Sequence, residues 1–197
     1  MKYYLDVTLL PDAEANLGFL WQKVYQQIHI ALADNKIAEN QSAIAVSFPK
    51  YGDKEFPLGD KLRLLADQQA QLEQLDIAKW LNRLTDYTHA TSIKSVPSSV
   101  NEYACFKRKA VKSELKRAVS LANHLSKPVE EIVKFRQDKS LNQNSKLPFI
   151  HMESQKPTET GQKNKFRLFI ERHLYDCSVE GNFDCYGLSK TATIPWF

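Results

Sequence analysis

Apolar positions along the chain change their period several times, and each change marks a new element. Tyr3 to Leu9 alternates as a strand and stops at Pro11-Asp12. Residues 16–33 then take up a helical period, with Leu17, Leu20, Trp21, Val24, Ile28, Ala31 and Leu32 on one stripe. At 100° per residue His29 lies about 120° from the centre of that stripe, on its margin rather than in the core. Ala43 to Phe48 predicts a second strand, halted by Pro49, and Leu62 to Ala66 predicts a third. Helical period returns between Gln68 and Leu84, but its phase breaks near Asp76. That residue is placed to cap a restarted stripe of Ile77, Trp80, Leu81 and Leu84. Tyr87 to Val96 predicts a fourth strand. The order β-α-β-β-α-β indicates an α+β chain with a ferredoxin-like domain over residues 1–97, and Pro97-Ser98-Ser99 reads as a linker.

The second half, residues 98–197, has weaker periodicity. Tyr103 to Arg108 is extended and runs into a basic cluster. Ser113-Glu114 opens a predicted helix that buries Leu115, Ala118, Val119, Ala122 and Leu125. Ser126 caps another, with Val129, Ile132, Val133 and Arg136 on one face and Pro128 in its first turn. Phe149 to Met152 and Phe166 to Arg172 are strands, and the polar stretch Lys156 to Lys165 is the loop between them.

Charge changes this picture more than composition does. The 197 residues are 43% hydrophobic and 25% charged, ordinary globular values. Residues 1–100 hold 10 Lys and Arg against 12 Asp and Glu, whereas residues 101–197 hold 17 against 11. Such asymmetry is the usual sign of a half that binds a polyanion. It is densest at Lys107, Arg108, Lys109, Lys112, Lys116 and Arg117, opposed only by Glu114. A charge run is often only a solvated face; this one reads equally well as a phosphate site.

Other chemistry is sparse. Cys105, Cys177 and Cys185 form no C-x-x-C pair and read as buried, reduced thiols. No two of the five histidines have H-x-x-x-H spacing, and His151 with Glu153 on one strand face is more simply a solvated pair, so no metal is expected. No apolar run approaches the ~20 residues that span a bilayer. The first residues, Met1 to Asp6, lack a signal-peptide core, so the expectation is a soluble cytoplasmic protein without a membrane partner.

Five landmarks stand in a fixed order. They are Ile44 to Pro49, the basic linker ending at Lys112-Ser113, Leu147-Pro148-Phe149, Phe166 to Ile170, and Cys185 to Lys190 followed by Pro195-Trp196-Phe197. Together with an early helix carrying His29, they resemble the repeat-processing endoribonuclease of type I-F CRISPR systems, over essentially the whole chain. The resemblance implies an N-terminal ferredoxin-like domain, residues 1–97. It also implies a C-terminal α+β, degenerate ferredoxin-like domain, residues 98–197, whose basic helix docks in an RNA hairpin. The implied partners are the CRISPR repeat hairpin, the mature CRISPR RNA and the other subunits of the type I-F surveillance complex; no cofactor is implied. Carried over by position, the catalytic group would be His29 with Tyr186 beside it and Ser154 to position the attacking hydroxyl. Phe166 would stack at the stem base and Arg108 would read a guanine, with Lys107, Lys109, Lys112, Lys116 and Arg117 as further RNA contacts.

Departures from the family pattern touch recognition more than chemistry. Ala110 stands where the family has a glutamine, and Ala118, Leu121 and Ala122 thin its arginine ladder. Lys156 replaces a second serine, with Thr158 or Thr160 as candidate substitutes.

RNA self-cleavage needs a group that removes the 2′-OH proton and a frame that holds the reacting atoms in line. Imidazole suits the first, contributing typically ~10²–10⁴-fold. Taken alone, His29 would be an ordinary surface histidine, Tyr186 a buried aromatic, Ser154 a loop serine and Phe166 core packing; the resemblance gives each a role. The alternatives are a hairpin-binding subunit that has lost catalysis, or a basic interaction module without RNA. Removing charge at Arg108, Lys112, Lys116 and Arg117 should weaken RNA binding and flatten its salt dependence, by about 0.7–0.9 in log–log slope for each cation that no longer neutralises a phosphate. An unchanged slope in the quadruple variant would place the RNA elsewhere.

Overall fold

The structure is a computed structural model that describes residues 1–109, 114–125, 128, 147–157, 161 and 163–197. The chain divides into two compact units, Met1–Arg108 with Pro148–Phe197, and Lys109–Leu147.

The first unit begins with β1 (Tyr3–Leu9) and α1 (Leu17–Asp34). The side chain of Asn16 accepts the Phe19 N–H at 3.0 Å and caps α1, a bond worth about 1 kcal/mol. The stripe expected from the sequence is buried except at Leu17, which is half-buried in the first turn, and Tyr25 joins it. Trp21 satisfies its one polar atom by donating to the Gly59 carbonyl at 2.8 Å. His29 is half-buried at the edge of this face, as its position on the stripe requires.

β2 (Ala45–Ser47) and β3 (Lys61–Ala66) follow, then α2 (Gln69–Leu75) and α3 (Ile77–Trp80). Asp76 does separate these helices, but its side chain makes no capping bond. It sits at φ 44°, ψ 64°, and this left-handed residue resets the helical phase. Aspartate tolerates that conformation better than most residues do. The expected strand from Tyr87 to Val96 is two short ones, β4 (Thr88–Ala90) and β5 (Lys94–Ser95), both antiparallel to β1. Thr91 interrupts them because it bonds Asp6 twice: its hydroxyl accepts the Asp6 N–H at 3.1 Å and its N–H donates to the Asp6 carbonyl at 2.9 Å. The sheet order is β2-β3-β1-β4, with β5 also on β1.

A second antiparallel sheet, in the order β7-β8-β6-β9, is built from β6 (Tyr103–Lys109), β7 (Phe149–Pro157), β8 (Lys163–Tyr175) and β9 (Ile194–Pro195). Two antiparallel sheets with few helices make the chain α+β. β7 and β8 run further than their apolar residues suggested, because backbone pairing continues through Glu153–Lys165 and, past a register shift, resumes at Pro157–Lys163. The loop is accordingly shorter than Lys156 to Lys165. On this face His151 lies opposite Arg167 and Glu153 opposite Lys165, whose ammonium is 3.5 Å from the Glu153 carboxylate. Cys105 and Cys185 are buried as expected, but Cys177 is exposed, since it follows the end of β8 among solvated residues.

In the second unit, α4 spans Glu114–Leu125. Of the apolar stripe expected on it, Ala122 is buried, whereas Val119 and Leu125 are exposed. Leu121, next to Ala122, is half-buried. Side chains at 114–118 and 120, and the helix expected from Ser126, lie outside the described residues. Among the described residues no helix is long and apolar enough to cross a membrane.

The two sheets of the first unit are joined by the chain's last residues. Ala104 pairs with Ile194 and Tyr103 with Pro195, while the Phe197 ring covers the Arg63 guanidinium at 3.9 Å. Arg63 and Asp6 face each other across β3 and β1, are only 6% and 7% exposed, and pair through two bonds of 2.6 and 3.0 Å. Arg63→Ala should cost about 3–5 kcal/mol, because a buried carboxylate would lose both of these bonds and keep only the Lys61 ammonium, 3.8 Å away. The double variant Arg63→Met, Asp6→Leu should recover much of that in urea denaturation. A single variant as stable as the parent would show that the pair contributes nothing.

Candidate functional site

The site forms where α1 meets the segment Asn182–Ser189. Tyr25 and His29 are four residues apart, so they project from one face of α1, one turn apart. Each grips a carbonyl of that segment, and the two carbonyls are consecutive. The His29 Nδ1–H donates to the Cys185 carbonyl at 2.9 Å, and the Tyr25 hydroxyl donates to the Tyr186 carbonyl at 2.8 Å. A carbonyl can only accept, so Nδ1 carries the proton and the neutral ring keeps its lone pair on Nε2.

The segment is itself tightly tied. Asp184 Oδ1 accepts the N–H groups of Tyr186 and Leu188 at 2.8 and 3.1 Å, and Gly187 N–H donates to the Asp184 carbonyl at 2.8 Å. Ser189 donates its hydroxyl to the Asn182 carbonyl and accepts the N–H of Ala192. The Gly187 carbonyl accepts the Val46 N–H at 2.8 Å, so the segment docks on the outer edge of β2. Gly187 has φ +71°, and a Cβ there would lie 2.3 Å from Val46 Cγ2. Only glycine allows that approach.

This docking lays the Tyr186 ring on the His29 imidazole, 4.0 Å between centroids and 4° from parallel. The Arg108 guanidinium lies 5.2 Å from the Tyr186 ring centre and 5.5 Å from that of Phe166. His29, Tyr186, Arg108 and Phe166 therefore form one continuous row from α1, the 182–189 segment, β6 and β8. Ser154 is half-buried on β7. Its neighbour Glu153 donates its N–H to the Gln26 side chain at 3.0 Å, on α1 three residues before His29. Lys107 is half-buried on β6, and Lys109 is exposed at its end. Lys112 and the side chains of Lys116 and Arg117 lie outside the described residues.

Burial governs the protonation of this row. It pulls the His29 pKa below 6.5, and the Arg108 charge acts in the same direction. The Cys185 carbonyl and the Asp184 charge oppose it. Burial also raises Tyr186 above the ordinary phenol range, offset by Arg108, and raises Asp184, offset chiefly by its two backbone bonds. The arrangement is a neutral imidazole with its unprotonated nitrogen available, a neutral phenol and a fixed cation. It is suited to taking a proton from a hydroxyl beside a phosphate.

Tyr25, Asp184 and Gly187 did not emerge as site residues from the sequence. Their signals were present: Tyr25 stands at i−4 from His29, and Asp184 with Gly187 has the turn pattern of Asp at i and Gly at i+3.

The family model for a CRISPR-associated protein (Cas_Csy4) matches residues 4–197. The chain is similar to a protein of Escherichia coli (strain UTI89 / UPEC), named CRISPR-associated endonuclease Cas6/Csy4, with 34% identity over 199 residues and the whole of both chains covered. A protein of the same name from Pseudomonas aeruginosa (strain UCBPP-PA14) is 33% identical over 201 residues, again with both chains covered in full.

Gly187→Ala should destabilise the first unit by about 1–3 kcal/mol, since the methyl has no space against Val46. The loss should appear in urea denaturation, together with weakened His29–Tyr186 ring-current shifts. An alanine variant with unchanged stability and shifts would mean that the segment docks without this close approach.

Proposed function

Because this chain belongs to the Cas_Csy4 family of CRISPR-associated proteins, we propose that it is an endoribonuclease that binds the stem-loop of CRISPR repeat RNA and cuts the precursor at the 3′ base of the stem. Two full-length relatives named CRISPR-associated endonucleases support the activity. The observation that carries the mechanism is the His29 imidazole, clamped through Nδ1 and stacked on Tyr186, with Nε2 left to act as base.

In this reading Nε2 removes the proton of the 2′-OH beside the scissile phosphate. The 2′-oxygen bonds to phosphorus, the bond to the 5′-oxygen breaks, that oxygen takes a proton from water, and the imidazolium returns its own proton to solvent. The products are a 2′,3′-cyclic phosphate and a 5′-OH, with no metal required. Ser154 positions the nucleophile, Phe166 stacks on the base of the stem, and Arg108, held between aromatic rings, reads a guanine edge. Lys107, Lys109, Lys112, Lys116 and Arg117 grip the phosphates. A-form RNA admits few side chains to its major groove, and a basic segment entering at a stem end fits that limit.

Residues 1–97 act as a ferredoxin-like domain carrying the base, a reading supported by the strand order β2-β3-β1-β4 with helices after β1 and β3. Residues 98–197 act as the hairpin-binding domain. The stem contacts are the same before and after the cut, so binding energy does not drive release. The protein therefore keeps the guide RNA and carries it into the cytoplasmic surveillance complex as one of its subunits.

His29→Ala should abolish cleavage of a repeat hairpin while leaving its affinity within a few-fold, and a gel shift beside a cleavage assay reads both. Parent activity should persist in EDTA and vanish on a substrate with 2′-deoxyribose 5′ of the cut. Activity should also fall as pH drops through the His29 pKa, below 6.5 in the free protein, because protonation occupies Nε2. Near-normal cleavage by His29→Ala would remove the base from this mechanism.

A further inference from the structure

The turn beneath Tyr186 contains an ionisable group that the mechanism above does not use. That group is Asp184, at the first position of the turn. Its carboxylate accepts the two N–H groups that close the turn, at 2.8 and 3.1 Å, and its own N–H donates to the Leu188 carbonyl at 2.8 Å. The two residues held inside that turn are Cys185 and Tyr186. Their carbonyls are the ones that His29 and Tyr25 grip. The geometry of the turn therefore fixes which nitrogen of His29 is protonated and the plane in which the ring lies.

Charge adds a second effect. The groups facing His29 are Asp184, Cys185 and Tyr186 on the turn and Arg108 on β6, with Tyr25 one turn earlier on its own helix. Lys36, beyond the end of α1, faces the Cys185 thiol. β7, packed on the same helix, brings Glu153, which pairs with Lys165, whereas Asp184 is the anion among the described residues that interacts with both His29 and Arg108.

We infer that Asp184 is a positioning residue for the cleavage reaction: it holds the turn that orients His29, and it supplies the negative charge that faces the imidazolium formed when His29 takes the 2′-OH proton. The inference rests on His29 as the base. A carboxylate behind a catalytic histidine commonly sets its tautomer through a direct bond. Here the Cys185 carbonyl makes that bond and the carboxylate acts through the backbone, one step removed. Burial and Arg108 both push His29 toward neutrality. Without an opposing anion the ring would become too weak a base for its task.

Asp184→Asn separates the two effects, because the amide oxygen still accepts both N–H groups while the charge is gone. Asp184→Glu does the reverse, keeping the charge and displacing the acceptor. Imidazole NMR titrations of the RNA-free protein, with the His29 signals assigned through His29→Ala, read the ring directly. Single-turnover cleavage and hairpin affinity across pH read its consequence.

In Asp184→Asn the His29 midpoint should move to lower pH and the acid limb of cleavage should follow it. The cleavage rate at neutral pH should fall by roughly tenfold, inside the ~10²–10⁴ that general base catalysis supplies. Hairpin affinity should stay within about twofold, because phosphate contacts lie elsewhere. Asp184→Glu should return the midpoint toward the parent value. An unmoved His29 midpoint in folded Asp184→Asn overturns the inference. If that variant does not fold, a midpoint in Asp184→Glu displaced as far as a charge loss would displace it overturns the inference equally. A parent protein that cuts no hairpin would sink the endonuclease reading, while the titration would still decide what Asp184 does to His29.

Discussion

His29 and the Cys185 carbonyl it bonds are 156 residues apart in the chain, and the site exists because a short segment near the C-terminus is docked against α1 and β2. That docking has little tolerance. The Gly187 backbone approaches Val46 so closely that a single methyl would collide with its side chain. Two side chains one helical turn apart then clamp consecutive carbonyls, and the rings of residues 29 and 186 come into parallel contact. Edge strands carry unpaired backbone groups that must be satisfied or covered. Here the Val46 N–H on the edge of the first sheet is satisfied by the same loop that holds the His29 ring.

Protonation at the site is a balance between solvent exclusion and nearby charge. Half-burial disfavours the imidazolium, and the Arg108 guanidinium disfavours it further. An RNA phosphate entering the site would bring negative charge and shift the balance toward the protonated ring, as any nearby anion does. A histidine that is neutral before the substrate arrives and better able to hold a proton beside a phosphate has the properties a base needs at neutral pH. Arg108 links the two halves of the problem, since it sits near the Phe166 ring as well as the Tyr186 ring.

The chain's last residues have a structural duty that is separate from the row of site residues. They complete the second sheet through β9 and place Phe197 over the buried Arg63–Asp6 pair of the first. Trp196 extends this packing, 5.8 Å from Phe106 and 4.9 Å from the Arg172 guanidinium. Flat guanidinium groups over aromatic rings recur here because both are weakly hydrated on their faces and pack without stranding hydrogen-bond donors.

Much of the fold was legible in the sequence wherever burial has one side. The α1 stripe, the alternation of β1 and the marginal position of His29 follow from periods of 3.6 and 2, and these need no knowledge of partners. Legibility failed where backbone pairing or a special dihedral overrode the apolar pattern. Thr91 split one strand through two bonds to Asp6, Asp76 reset a helix by turning left-handed, and β7 and β8 outran their apolar residues. The motif Cys185 to Lys190 stood out by resemblance, and the residue types of its turn were visible in the chain. What only the tertiary structure decided is that Asp184 and Gly187 belong with Tyr25 and His29. Local sequence dictates a turn, but which distant helix receives its carbonyls depends on how the second sheet packs against the first.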